Sequence, residues 1–128
     1  MAETISKPCV VVLTPMAHVA NVQQSVDFYK LLGMEVRGSL RNSSALLQWV
    51  HVASGQAELM LTRASEPIVA SEQAVLFYLY SPDLLALRQH LLNNAVKVSP
   101  ITYPEYMPKG EIRVDDPDGY CLLIGQAG

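Results

Sequence analysis

The chain has 128 residues, half of them hydrophobic and 16% charged, with a formal net charge of −3. That length suits one domain or two tightly packed half-domains, and the composition supplies a core and excludes a disordered chain. The mild negative charge offers no basic surface, which argues against a nucleic-acid partner, and no apolar run is long enough to span a bilayer.

"CVVVLTPMAHV" (9–19) is β-branched and bounded by prolines, so it reads as a strand. Asn21 caps a helix over 22–32, with Val22, Val26, Tyr29 and Leu32 as its buried stripe and Gly33 as its left-handed terminus. Strands follow at 34–40, 45–53 and 57–63, with turns at "RNSS" and "SGQ". The polar stretch 65–73 reads as a linker.

The order then repeats. "AVLFYLY" (74–80) is a strand, and Ser81 with Pro82 reads as a helix start. Leu84, Leu87 and Leu91 form the next buried stripe, and Asn93 or Asn94 closes that helix in place of glycine. Strands are expected at 95–103, 111–114 and 120–125, with a loop at 104–110. Before the last strand, Asp116, Pro117 and Gly119 suit a tight turn. "LLGMEV" (31–36) matches "NNAVKV" (93–98) at an offset of 62 residues, so the repeat is one of pattern. Each half reads as a short curved sheet under one helix. Two such sheets side by side leave a concave surface between them.

Cys9 and Cys121 form no Cys-x-x-Cys pair, and "MAETISKP" lacks a basic region leading into an apolar one. A cytoplasmic protein with two reduced, buried thiols is expected. No Gly-x-Ser-x-Gly elbow or phosphate-binding glycine loop is present. His90 falls on the second helix and is expected to face solvent, while His18 and His51 fall on strands. Asp115, Asp116 and Asp118 lack the ladder of oxygen ligands that a calcium loop needs.

"SVDFYKLLGMEV" and "VDDPDGYCLLIGQ", in this order and within matching halves, resemble the vicinal oxygen chelate superfamily of glyoxalases, dioxygenases and bleomycin-resistance proteins. The resemblance implies an α+β fold: two βαβββ modules, 8–64 and 74–126, joined by linker 65–73 within a single domain spanning 1–128. They would form a curved, open, barrel-like mixed sheet with the helices on its convex side. Metal-dependent members carry four His or Glu ligands on the concave face. The matching positions here are Thr14, Met60, Leu76 and Leu123, none of which binds a hard or borderline cation. No metal and no cofactor is therefore expected.

The similarity is greatest to the metal-free, bleomycin-resistance-like branch, which implies a homodimer that sequesters a small molecule. By strand parity, Met60, Tyr78, Tyr80 and Cys121 point inward with Leu76 and Leu123. Trp49 and His51 are placed inward too, leaving Val50 and Val52 under the helix. Tyr103, Tyr106 and Met107 arch near the mouth. The expected ligand-binding set is thus Trp49, His51, Met60, Tyr78, Tyr80, Tyr103, Tyr106 and Met107, either lining an apolar pocket or filling the core between the sheets. The expected function is metal-independent binding of an apolar or aromatic small molecule, as in antibiotic resistance. The alternative is a lyase or isomerase of the glyoxalase kind, or a dioxygenase-like enzyme. Pairing of modules within a chain and exchange between chains both occur on this fold.

Overall fold

Asn21 opens the first helix by accepting the backbone N–H of Gln24 on its side-chain oxygen at 2.9 Å. The computed structural model describes residues 8–128; the start of the chain, 1–7, on which the expected lack of a signal-peptide pattern rests, lies outside them. Helix α1 runs Val22–Lys30, with Val22, Val26 and Tyr29 buried, Leu32 half-buried, and Gly33 at φ +85° just past its end. Strands β1 (Met16–Val19), β2 (Glu35–Arg41), β3 (Leu47–Ser54) and β4 (Ala57–Arg63) form one sheet in the order β1-β4-β3-β2. Strand β1 runs parallel to β4, and β3 runs antiparallel to both β2 and β4. Val50, Val52, Leu59 and Leu61 are buried on the face under α1. Each such side chain contributes about 1.5–3 kcal/mol by leaving water.

The second sheet holds β5 (Leu76–Ser81), β6 (Glu111–Asp115) and β7 (Cys121–Gln126) in the order β5-β7-β6, with helix α2 over Leu84–Asn93. Strand β5 is parallel to β7, as β1 is to β4. Leu122 and Ile124 are buried, as are their counterparts Leu59 and Leu61. Leu84 and Leu91 are buried and Leu87 packs half-buried against the same core, as the stripe predicted. One continuous apolar core joins the helix-covered faces of both sheets.

Five expectations need correction. The first strand is shorter than 9–19. Strand β4 begins only at Ala57, opposite the residues just ahead of Pro15, so earlier residues have no neighbour to pair with. Val10, Val11, Val12 and Leu13 run on unpaired at 67–87% exposure, and Cys9 is exposed rather than buried.

The expected strand 95–103 forms no regular ladder. It lies along β6, bonding at Thr102 to Glu111 and at Ser99 to Arg113. Pro100 lies between these contacts and has no N–H to give. The position of a fourth strand is filled, but without strand geometry.

The cap of α2 is Asp83, which accepts the N–H of Ala86 at 3.0 Å, and not Ser81. Ser81 is held as the last residue of β5 against Gln126. Finally, neither Asn93 nor Asn94 takes the left-handed conformation. Ala95 does, at φ +62°, at the place the 62-residue offset assigns to Gly33.

Between the modules, the turn at 116–119 is more than a turn. Gly119 donates to the Asp116 carbonyl at 3.0 Å and sits at φ +86°, as its sequence requires. The carboxylates of this turn then reach the first module. Asp118 accepts from the backbone N–H of Ala20 at 2.9 Å and from the Ser25 hydroxyl at 3.3 Å, and Tyr120 donates to the His18 carbonyl.

Candidate functional site: the open face of the second sheet

Each sheet has one face under its helix and one open face. On the first sheet, Trp49, His51 and Met60 share the open face: His51 lies opposite Met60, and the Trp49 and His51 rings are 6.4 Å apart. All three are half-buried, and Val50 and Val52 lie under the helix. His51 bonds Glu58 at 2.9 Å through Nε2. His90 is exposed on α2.

On the second sheet, alternation sends Phe77 and Leu79 into the core and presents Leu76, Tyr78 and Tyr80 on the open face. The register places Tyr78 beside Leu123, and Tyr80 beside Gly125 and then Glu111. Gly125 carries no side chain, and Met107 fills the space: a Cβ built there would lie 2.6 Å from its terminal methyl. That close seating brings the 103–108 loop down over the sheet. Tyr106 then donates to Glu111 Oε2 at 2.9 Å, while Tyr78 donates to Glu111 Oε1 at 2.6 Å. The Tyr78 ring is 5.3 Å from Tyr80 and 6.4 Å from Tyr106.

Burial, then the bond to Glu111, raises the Tyr78 phenol pKa above its ordinary value; for Tyr106 the bond to Glu111 comes first. Both phenols are therefore neutral donors at physiological pH. Cys121 lies on the same face, and its thiol pKa is raised by burial.

A cleft of about 650 Å³ lies at the junction of the modules. Both faces of β5 form one wall, Phe77 and Leu79 as well as Leu76, Tyr78 and Tyr80, with Leu122 and Ile124 of β7 beside them, Leu32 and Met34 behind α1, and Glu58 on β4 opposite. The eight sequence-derived candidates therefore do not converge. Tyr78 and Tyr80 line the cleft, Tyr106 and Met107 gather above the same sheet, and Tyr103 is exposed in that loop. Trp49, His51 and Met60 belong to the other sheet's open face.

Glu111 was missed in the sequence. It stands at the start of a strand among alternating residues, and nothing local marks it. Its register opposite Gly125, itself flanked by a tyrosine strand, is the signal, and it emerges only once the strands are paired.

The metal positions are equally explicit. Met60 and Leu123 lie on the open faces, Leu76 begins β5 opposite Cys121, and Thr14 lies just before β1. Among the described residues, no three of His, Cys, Asp and Glu come together as a metal cluster. The donor set does not suit a divalent cation at those four positions.

Paired strand-helix-strand modules, each with one helix-covered and one open sheet face, define an α+β fold without a closed barrel. The chain belongs to the Glyoxalase/Bleomycin resistance protein/Dioxygenase superfamily, whose profile matches residues 12–124. Solved structures agree on the fold. A bleomycin-binding protein complexed with bleomycin is 16% identical, with a TM-score of 0.73 over 93% of this chain and 100% of that one. An antibiotic binding protein from a Streptomyces species is 19% identical, with a TM-score of 0.71 over 96% of this chain and 100% of that one. A lactoylglutathione lyase from Agrobacterium tumefaciens is 16% identical, with a TM-score of 0.67 over 94% of this chain and 96% of that one. No curated protein sequence is significantly similar to this chain. Among the described residues no helix is long and apolar enough to cross a membrane.

Proposed function

We propose that this protein binds a small apolar or aromatic molecule without a metal, as a sequestration or resistance-type member of its superfamily. The observation that carries this reading is the aromatic wall of Tyr78 and Tyr80 on a cleft of about 650 Å³, with Leu123 beside Tyr78 where a metal-dependent relative would carry a glutamate. A cleft of this size, mostly apolar with a few fixed polar groups, suits a small ligand.

The modules 8–64 and 74–126 act as one unit in this proposal, and the working form is a cytoplasmic homodimer. Support comes from the exposed Val10–Leu13 arm and from the open faces, where Leu40, Leu76 and Tyr80 are each more than 60% exposed. A second copy would close the site by covering one face with another. Trp49, His51 and Met60 of one chain would then join Tyr78, Tyr80, Tyr103, Tyr106 and Met107 around the ligand.

A ligand screen by thermal shift, with elemental analysis and sedimentation of the same sample, tests this. The expected result is a dimer, no stoichiometric metal, and stabilisation by at least one aromatic compound. Stoichiometric nickel, zinc, iron or manganese lost on changing His51 would overturn the metal-free reading.

A second reading is an enzyme, of the glyoxalase lyase/isomerase kind or dioxygenase-like, and the His51–Glu58 pair at 2.9 Å favours it. A carboxylate-oriented imidazole is a usual general acid–base. Turnover of a small metabolite that disappears in His51→Ala but persists in Tyr80→Phe would decide for it.

A further inference from the structure

Glu111 is 7% exposed, and both its oxygens accept from phenols, yet it makes no ion pair. Among the described residues the only ion pairs are His51–Glu58 and Arg113–Asp115. Arg113 lies on the same face two residues along, but its Nε is turned toward Asp115 at 3.4 Å. Neutral hydrogen bonds satisfy the lone pairs of a desolvated carboxylate without balancing its charge. Nearly buried charges in proteins are ordinarily paired with an opposite charge.

The donors chosen here add a second property. Tyr78, Tyr80 and Tyr106 set three aromatic rings beside the carboxylate, with centroid separations of 5.3 and 6.4 Å. A ring face attracts a cation through its quadrupole, most strongly where water is excluded. Tyr80 makes no bond to Glu111, and it is 66% exposed, so it does not serve to anchor the loop.

We infer that the open face of the second sheet receives an organic ammonium group, with Glu111 supplying the counter-charge and Tyr78, Tyr80 and Tyr106 the ring faces. This rests on the binding reading above and narrows it. The ligand is an apolar or aromatic body carrying a protonated or quaternary amine. The same phenol–carboxylate bonds, if they served only to seat the loop, would confer no preference for ligand charge.

The test uses the full-length protein and four probes of one aromatic size: benzyltrimethylammonium, benzylamine, neutral benzyl alcohol and anionic phenylacetate. Titration calorimetry is expected to show both cations binding at least about tenfold tighter than the alcohol and phenylacetate weakest. Benzyltrimethylammonium binding as well as benzylamine assigns the contact to the rings; benzylamine alone assigns it to hydrogen bonding at Glu111. Either result supports the ammonium site.

In Glu111→Gln, which keeps the shape, the preference for the cations over benzyl alcohol is expected to fall to within about twofold. Tyr80→Leu touches neither oxygen of Glu111 and guards against a folding defect. It is expected to weaken cation binding more than alcohol binding. Equal affinity for cationic, neutral and anionic probes would overturn the inference and leave the binding reading intact. Binding of none of the four would overturn both.

Discussion

The Tyr29 hydroxyl donates to Asp116 Oδ2 at 2.7 Å, joining helix α1 of the first module to the β6–β7 turn of the second. Both groups are buried, at 1% and 5% exposure. Asp116 Oδ1 also accepts the backbone N–H groups of Asp118 and Tyr120, each at 2.9 Å. Tyr29→Phe removes one donor and leaves a buried carboxylate oxygen unmatched. The expected cost is about 1–3 kcal/mol, read as a lower denaturant midpoint at unchanged slope. An unchanged midpoint would mean that this bond does not hold the modules.

The same contact predicts a pH dependence. Burial first, then the Asp116 charge and hydrogen bond, raises the Tyr29 pKa far above its ordinary value. A raised folded-state pKa stabilises the protein below the unfolded value, near 10 for tyrosine, and that contribution is lost as pH rises beyond it. Stability should therefore fall between about pH 9 and 11 in the wild type and fall less in Tyr29→Phe. A spectroscopic titration of the folded protein in which all six tyrosines ionise together near 10 would contradict this.

Gly125 holds Met107 against the sheet, its absent Cβ leaving room for a methyl that would otherwise be 2.6 Å away. Gly125→Ala should displace Met107, whose tail is flexible, at a modest cost of about 1–2 kcal/mol. Its larger effect should be on the loop that carries Tyr106. Affinity for an aromatic ligand should drop several-fold while the melting temperature changes by only a few degrees. Equal loss of both would assign Gly125 to folding alone.

Ala95 occupies a left-handed conformation at φ +62° that costs an alanine about 1–2 kcal/mol. Glycine adopts it freely but loses more entropy on folding. Ala95→Gly should thus stabilise the protein by about 0.5–1 kcal/mol, with no change in ligand affinity. A lower melting temperature would show that the alanine methyl packs better than its backbone suffers.

Local signals carried much of the fold. Val22, Val26 and Tyr29 marked the buried stripe of α1 by spacing alone, and β4 falls at 57–63 as alternation placed it. Val50 and Val52 are buried under the helix, on the face where they were placed. What failed depended on neighbours that a sequence does not display. Val10–Leu13 has ideal strand chemistry but no strand beside it, and Pro100 interrupts the segment that bonds to β6 at Ser99 and Thr102.

The candidate residues were chosen by parity within each strand. Parity gives the face, but it does not say whether two sheets turn those faces toward each other in one chain. Glu111 and the cross-module role of Asp116 and Asp118 escaped for a related reason, since each acts through partners 5–98 residues away in the sequence.

From Cys9 to Thr14 the chain has no charge, and three valines and a leucine stand in solvent just ahead of β1, an edge strand of its sheet. Low charge, β-branched side chains and open edges are the ingredients of cross-β stacking. Colloidal behaviour is the consequence. An isolated chain carries an adhesive strip, so its solubility is tied to whatever covers that strip, and a charged residue placed at Val11 would act as a gatekeeper against fibrils.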